Sequence, residues 1–261
     1  MSCLSWNCRG FGNPEAVREL RSIVKQEGPG LLFLMETKIS AKRVENLQNS
    51  LDFARCFAVS SVGLSGGLGL FWSAELNVER KNYSSAHIDV MVQRKNDTSK
   101  NWRVTGFYGA PRVEDRCHSR RFMRTLFAIR HEAWMCIGDF NETLFGSEHF
   151  SLSPRPEWQM KAFREVMDEC AMVDLGWSGM EYTWDNRQSG RSNIKARLDR
   201  AFGNTSLTDL FANVKVRHIV AAESDHCFVL ADLRENLTSS VHRGPKPFRY
   251  EDMWQTHADY D

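Results

Sequence analysis

Two short apolar runs, Leu31–Met35 and residues 134–138, each deliver the chain directly to a carboxylate, Glu36 and Asp139. Leu31–Met35 is too short for a buried helix and lacks the alternation of a strand with one wet face. It therefore reads as a strand covered on both faces. Such a strand needs packed layers on either side, and the intervening sequence supplies them. Asn13-Pro14 opens a helix with an apolar stripe at Val17, Leu20, Ile23 and Val24, and Gly28-Pro29-Gly30 stops it. A second helix is expected over 40–51. Residues 53–108 change to short β-branched and aromatic runs broken at Gly66-Gly67, Asn82 and Asn96-Asp97, the pattern of an antiparallel meander. An arginine-rich helix is expected over 115–130 and another over 157–172, with Phe163, Val166 and Met167 inward. Strands follow over 182–184, 194–202, 214–220 and 228–233. After Leu233 the composition turns polar with Pro and Gly, so residues 1–233 read as one domain and 234–261 as a linker, over 234–247, and the start of a further downstream region.

Charge and cysteine usage narrow the chemistry. The 34 Lys+Arg against 33 Asp+Glu leave a formal charge of +1, which excludes a strongly basic nucleic-acid coat but not a local basic face. A chain of this length buries roughly 70–75% of its unfolded surface, so a metal is not needed to hold the fold, and any bound metal is catalytic. The seven cysteines contain no Cys-x-x-Cys pair and the eight histidines no His-x-x-x-His pair, which argues against structural zinc. The odd cysteine count and a strand-like run from Ser2, with no charged leader and apolar core before it, point to a reducing intracellular compartment. No stretch is long enough to cross a membrane.

The polar residues at strand ends form a coherent set: Asn7, Glu36, Tyr108, Asp139, Asn141, Asp199, Asp225 and His226. Carboxylates, carboxamides, a phenol and an imidazole are what metal-assisted hydrolysis of a phosphate ester requires, with hard oxygen donors suited to Mg²⁺. Glu36 and Asn7 are the first metal-ligand candidates, and alternation sends Cys8 to the packing face. Asp139 and Asn141, two apart, share a side if the chain is extended there. His226 is the candidate to engage a phosphoryl oxygen, with Asp199 setting its tautomer. Taken singly, Glu36 is open to an ion pair with Lys38, Tyr108 to a core ring, and Asp199, between Arg197 and Arg200, to a salt-bridged strand.

The order Trp6-Asn7, Glu36, Gly106-Phe107-Tyr108, Gly138-Asp139-Phe140-Asn141, Tyr182-Thr183-Trp184, Arg197-Leu198-Asp199-Arg200 and Ser224-Asp225-His226 resembles the endonuclease/exonuclease/phosphatase superfamily over residues 2–233. Within it, Ser-Trp-Asn-Cys-Arg-Gly, Gly12-Asn13-Pro14, Ser65-Gly66-Gly67, Cys136 to Glu142 and the Phe248-Arg-Tyr-Glu251…Trp254 ending are similar to the apurinic-endonuclease-like domain of plant LINE-type non-LTR retrotransposons. The resemblance implies an α/β fold, the four-layer α/β/β/α sandwich of deoxyribonuclease I, with two mainly antiparallel sheets flanked by helices. It implies Mg²⁺, or Mn²⁺, held by Asn7, Glu36 and Asp225. Asp139 would activate water, Asn141 and Tyr108 would orient the phosphate, and His226, oriented by Asp199, would stabilise charge, with the sequence leaving open which of Asp139 and His226 is the general base. Repair-type relatives carry an acidic residue two after the first Asn where this chain has Arg9, which argues against abasic-site repair.

The implied activity is a DNA endonuclease that leaves a 3′-hydroxyl nick able to prime reverse transcription. Its partner is DNA, a reverse transcriptase domain is expected downstream, and its site of action is the nucleus. Two alternatives stand beside it: a small-molecule or lipid phosphatase or phosphodiesterase of the same fold, and a catalytically inert nucleic-acid-binding remnant. Candidate DNA contacts are Arg112, beside the Tyr108 loop and the basic helix, and Arg187, Arg191 and Lys195, on the turn between two late strands.

Overall fold

The computed structural model describes residues 1–63, 65–129, 132–211 and 213–233. In chain order the elements are β1 (Ser2–Asn7), α1 (Pro14–Glu27), β2 (Leu31–Met35), α2 (Ala41–Glu45), β3 (Arg55–Val59), β4 (Leu68–Trp72), β5 (Leu76–Tyr83), β6 (His87–Arg94), β7 (Asp97–Tyr108), α3 (Arg116–Ile129), β8 (Trp134–Asp139), β9 (His149–Phe150), α4 (Glu157–Glu169), β10 (Met172–Asp174), β11 (Ser178–Gly179), β12 (Trp184–Asp185), β13 (Lys195–Ala196), β14 (Asp199–Asn204), α5 (Thr205–Leu210), β15 (Lys215–Ile219) and β16 (Phe228–Asp232). They build a seven-stranded sheet in the order β11-β15-β16-β1-β2-β4-β3, a six-stranded sheet in the order β10-β14-β8-β7-β6-β5, and a small β12-β13-β9 sheet.

The apolar runs dictate the layering. Leu31, Phe33 and Met35 of β2 face the second sheet and pack with Val104, Met135 and Ile137. Leu32 and Leu34 point the other way, to Leu20 of α1 and Val44 of α2. The outer face of the second sheet, with Phe107, Cys136, Phe140 and Phe202, packs on Met123 of α3 and on Phe163, Val166 and Met167 of α4. The result is the α/β/β/α sandwich. Phe33 lies over Gly106 between the sheets, where a Cβ would sit 2.3 Å from the ring. α1 begins as its sequence requires: the Asn13 side chain accepts from Glu15 N–H, Pro14 opens the first turn, and Gly28 ends the helix at φ +54.

Several expectations give way. The 53–108 segment is not one meander: β3 and β4 join the first sheet, and the chain then crosses to the second for β5, β6 and β7. Alternation is the same in either sheet, so periodicity cannot show the crossing. The second helix stops at Glu45, with a separate 3-10 turn at Asn49–Leu51 in which Ser50 Oγ donates to Leu47 O. The helix expected to 172 ends at Glu169, freeing Met172 to begin β10. The strand expected over 194–202 is two, β13 and β14, which pair in different sheets. No helix among the described residues is long and apolar enough to cross a membrane, and all seven cysteines are free thiols. Residues 234–261 lie outside the described residues.

Candidate active site

β1 and β2 are parallel, as are β7 and β8. Asn7, Glu36, Tyr108 and Asp139, at or just beyond the C-terminal ends of these strands, therefore reach one edge of the sandwich. The neighbouring antiparallel strands begin there. Asp199 opens β14 opposite Asp139 in register, and His226 precedes β16, bridging to Trp184. Asn7, Glu36, Tyr108, Asp139, Asn141 and His226 line one cavity of about 350 Å³. Asp199 and Asp225 stand behind it, held by His226, Trp184 and Arg9.

The centre of the site is a buried triad. His226 Nδ1 lies 2.9 Å from Asp199 Oδ2 and 3.9 Å from Asp139 Oδ2. Asn7 Nδ2 donates to Asp139 Oδ2 at 3.0 Å and sits 3.5 Å from His226 Nε2. Burial, then the nearby Asp199 charge, push the Asp139 carboxyl up to about 7, against the pull of His226. Burial alone would lower His226, but Asp199 and Asp139 outweigh it and hold the imidazole up at about 9. The pair thus shares protons near neutral pH, the range useful for general acid and base work.

Neighbouring loops fix the triad. Thr183 Oγ1 accepts the N–H groups of both Leu198 and Asp199, at 2.9 Å each, where β13 breaks into β14. Ser224 Oγ donates to Asn7 O at 2.7 Å and accepts from His226 N–H at 3.1 Å. Trp184 Nε1 donates to Asp225 Oδ2 at 3.0 Å. Gly138 reaches φ +150 against Phe107 O, a position no side chain could occupy. The chain is not extended from Asp139 to Asn141. Asn141 is left-handed at φ +56, its N–H donates to Asp139 Oδ1 at 2.8 Å, and its side-chain amide donates to Gly109 O at 2.9 Å. A short polar side chain tolerates this turn, so the two groups meet by curling and not by strand alternation.

Beside the triad lies a carboxylate pair of different character. The Tyr108 hydroxyl donates to Glu36 Oε1, while Arg9 Nη1 and Lys38 Nζ stand 3.2 and 3.3 Å from Oε2. Burial would raise Glu36, yet the Tyr108 hydrogen bond, Arg9 and Lys38 together hold it below the usual carboxylate value. Burial and the Glu36 charge push the Tyr108 phenol well up, so it stays protonated. Arg9 Nε is also 3.2 Å from Asp225 Oδ1. The guanidinium therefore stands between Glu36 and Asp225, marking a point where two carboxylates already hold positive charge. That donor set fits a divalent cation, since hard oxygens converge on a place a cation can take. A second group of ligand atoms, on Asp139, Asp199 and His226, lies within 4.8 Å of one another. Asp199 Oδ2 and His226 Nδ1 there already hold each other at 2.9 Å, so the Glu36–Asp225 side is the better fit. Asn7, expected to offer its amide oxygen, uses Oδ1 to accept Arg9 N–H at 3.2 Å.

The expected DNA contacts divide. Arg112 and Arg191 are exposed. Arg187 instead folds back, with Nη2 donating to the carbonyls of Ala222, at 2.9 Å, and Ser224. It braces the loop that carries Asp225 and His226. Lys195 pairs with Asp185 at 3.2 Å. Arg197 is buried, tied with Arg200 to Glu148 and Asp174. Charge on a turn does not reveal whether it faces ligand or backbone. Arg116, His149 and Arg155 also line the cavity and were not foreseen as site residues; for Arg155 the sequence signal was its place between Pro154 and Pro156, which restrain the backbone on both sides.

Residues 4–226 match the model of the endonuclease/exonuclease/phosphatase family. No curated protein shows significant sequence similarity to the chain. Among solved structures, the fold is similar to the endonuclease domain of TRAS1, a telomere-specific non-LTR retrotransposon, at TM-score 0.66 and 14% identity over 90% of this chain and 99% of that one. It is similar to the AP endonuclease LMAP from Leishmania major at TM-score 0.69 and 15% identity, over 90% of this chain and 87% of that one. The 3′ phosphatase NExo from Neisseria, bound to a product DNA hairpin, superposes at TM-score 0.61 with 15% identity, over 89% of this chain and 99% of that one. Two sheets meeting at one polar edge, together with a family match spanning residues from β1 to His226, lead to one assignment: the chain belongs to the endonuclease/exonuclease/phosphatase family.

Proposed function

We propose that the protein is a divalent-metal-dependent DNA endonuclease that leaves a 3′-hydroxyl nick. The observation that carries this reading is the buried Asp139–Asp199–His226 triad beside the Glu36–Asp225 carboxylate pair, with Glu36, Asp139 and His226 lining one cavity. The likeness to the TRAS1 endonuclease domain supports the retrotransposon setting; a reverse transcriptase as the partner that uses the 3′ end, and the nucleus as the place of action, are part of the same proposal. The DNA-bound Neisseria structure supports nucleic acid as the substrate class.

In this reading Glu36 and Asp225, with Asn7 alongside, hold Mg²⁺, which supplies charge neutralisation at the phosphate when bound. Asp139, poised near neutrality, takes the proton of the attacking water. Asn7 Nδ2 fixes the carboxylate from one side and the Asn141 N–H from the other. Asp199 holds His226 Nδ1, so Nε2 is the atom presented to the phosphate, and its proton offsets charge as it develops. Tyr108, kept protonated, donates to Glu36 and fixes its orientation.

The test is nicking of supercoiled plasmid by purified protein with Mg²⁺ and with EDTA, followed by polymerase extension from the nick. Metal-dependent nicks that prime extension are expected. Nicks that need a phosphatase before they prime would rule out the 3′-hydroxyl product, and no nicking would rule out the nuclease.

A further inference from the structure

Around Glu142, three arginine charges, Arg116, Arg120 and Arg155, act on one carboxylate. Arg116 and Arg120 pair with it, Arg120 more closely, at 2.5 Å against 3.6 Å for Arg116, and the Arg155 charge acts on it from nearby. Arg155 makes no ion pair among the described residues. Its Nη1 donates to Thr143 Oγ1 at 3.1 Å and its Nη2 to Asn141 O at 3.2 Å, both neutral oxygens. Arg116 Nε and His149 Nδ1 are buried without hydrogen-bond partners. Burial, then the Arg116 charge, bring the Arg155 guanidinium down to about 10. Burial, then Arg155, lower His149.

Unpaired buried donors and cations are costly unless an anion completes them. The missing partner must also suit the apolar lining of the same cavity, Trp184, Ile194 and Leu198. An anion attached to a sugar and base meets both the cations and the apolar lining, and a free oxyanion meets only the cations. We infer that Arg155, with Arg116 and His149, forms a subsite for a nucleic-acid phosphate adjoining the scissile position. The inference rests on the nuclease reading and adds the element that seats the strand. Arg155 has a second consequence for the site: by holding the Asn141 carbonyl it ties the seated phosphate to the turn that orients Asp139.

Binding of an end-labelled duplex in EDTA, followed by fluorescence anisotropy across a salt series, separates seating from chemistry. Arg155→Gln should lower the slope of log affinity against log salt by about one contact's worth, while exposed Arg121→Gln on α3 changes it less. Arg155→Lys keeps the charge and should keep the slope while losing the two-pronged hydrogen bonding. An unchanged slope in folded Arg155→Gln overturns the subsite. A parent protein with no salt-dependent DNA binding overturns the nuclease reading along with it. Footprinting of the parent with phenylglyoxal needs no variant: duplex DNA should protect Arg155 and leave Arg121 reactive. Equal reactivity of Arg155 with and without DNA overturns the proposal, and protection by inorganic phosphate as strong as by DNA makes it a free-phosphate site instead.

Discussion

Asp89 on β6 and Asp139 on β8 are buried carboxylates in the same six-stranded sheet, yet they are built in opposite ways. Asp89 Oδ1 takes Arg103 Nε at 2.8 Å and Thr105 Oγ1 at 2.7 Å, and Oδ2 takes Arg103 Nη2 at 3.0 Å. The same guanidinium donates to Leu126 O at 2.8 Å and lies over the Trp134 ring. One acid meets one bidentate base, and every prong has a partner. Asp139 instead shares a single imidazole with Asp199, whose Oδ1 has no hydrogen-bond partner. A saturated buried pair fixes the scaffold. An under-neutralised one keeps protons near neutrality and leaves valence for a substrate.

The contrast predicts that the two clusters fail differently. His226→Ala and Asp139→Asn should each lose roughly 10²–10⁴-fold in nicking rate per folded molecule, the usual worth of such groups. Asp89→Asn should do the reverse, because it leaves Arg103 buried beside an uncharged partner. It should cost up to about 3–5 kcal/mol of stability, while the rate per folded molecule is kept. Denaturant unfolding and single-turnover nicking on the same preparations check both. An inactive but stable Asp89→Asn would end the division between scaffold and site.

Proton linkage sharpens the same contrast. His226 is held up at about 9 and Asp139 at about 7 in the fold, each above its ordinary value, so the folded state binds these protons more tightly than the unfolded chain. The stabilisation is complete at low pH; the Asp139 share is lost as pH rises from about 4 to about 7 and the His226 share from about 6.5 to about 9. Melting in EDTA should therefore fall over this range in the parent and stay flatter in Asp139→Asn. Parallel profiles would place the linkage elsewhere.

A smaller effect is expected where Arg9 stands between Glu36 and Asp225. Its side chain is 46% exposed, so these are partly screened ion pairs, each worth up to about 1 kcal/mol. Arg9→Gln should tighten Mn²⁺ binding by about threefold to tenfold, as read by the electron paramagnetic resonance signal of free Mn²⁺. Weaker binding in the variant would make Arg9 a helper of the metal site and not its competitor.

What was legible in the sequence followed from local rules. The doubly buried β2, the Asn13-Pro14 start of α1, and polar residues at the ends of apolar runs all depend on neighbours within a few positions. What was hidden depends on distant partners. The crossing of the chain between sheets after β4 leaves no mark on alternation. The Asp139–Asn141 spacing looked like a strand, but Asn141 is curled by its own N–H to the carboxylate. Arg103 and Asp89 pair across adjacent strands, and neither residue type announces a partner. Thr183 stood inside a family-like motif without a role until its hydroxyl was found holding the break at Leu198 and Asp199.

The loop from Asn186 to Asn193 offers the finest division between scaffold and site, because its two arginines fall on opposite sides of it. Arg187 is spent on the carbonyls of the 222–224 loop, so Arg187→Ala should loosen Asp225 and His226 and lower the nicking rate with little change in the salt dependence of binding. Arg191 is exposed on the short helical turn Gly190–Ser192, where it can reach the backbone of a bound duplex. Arg191→Ala should reduce the salt slope by about one and redistribute nick positions with the rate at saturation unchanged. Nick mapping on one end-labelled duplex, beside anisotropy titrations, reads both variants. If Arg191→Ala leaves pattern and slope as in the parent, the turn faces solvent and target choice belongs to the groups that line the cavity.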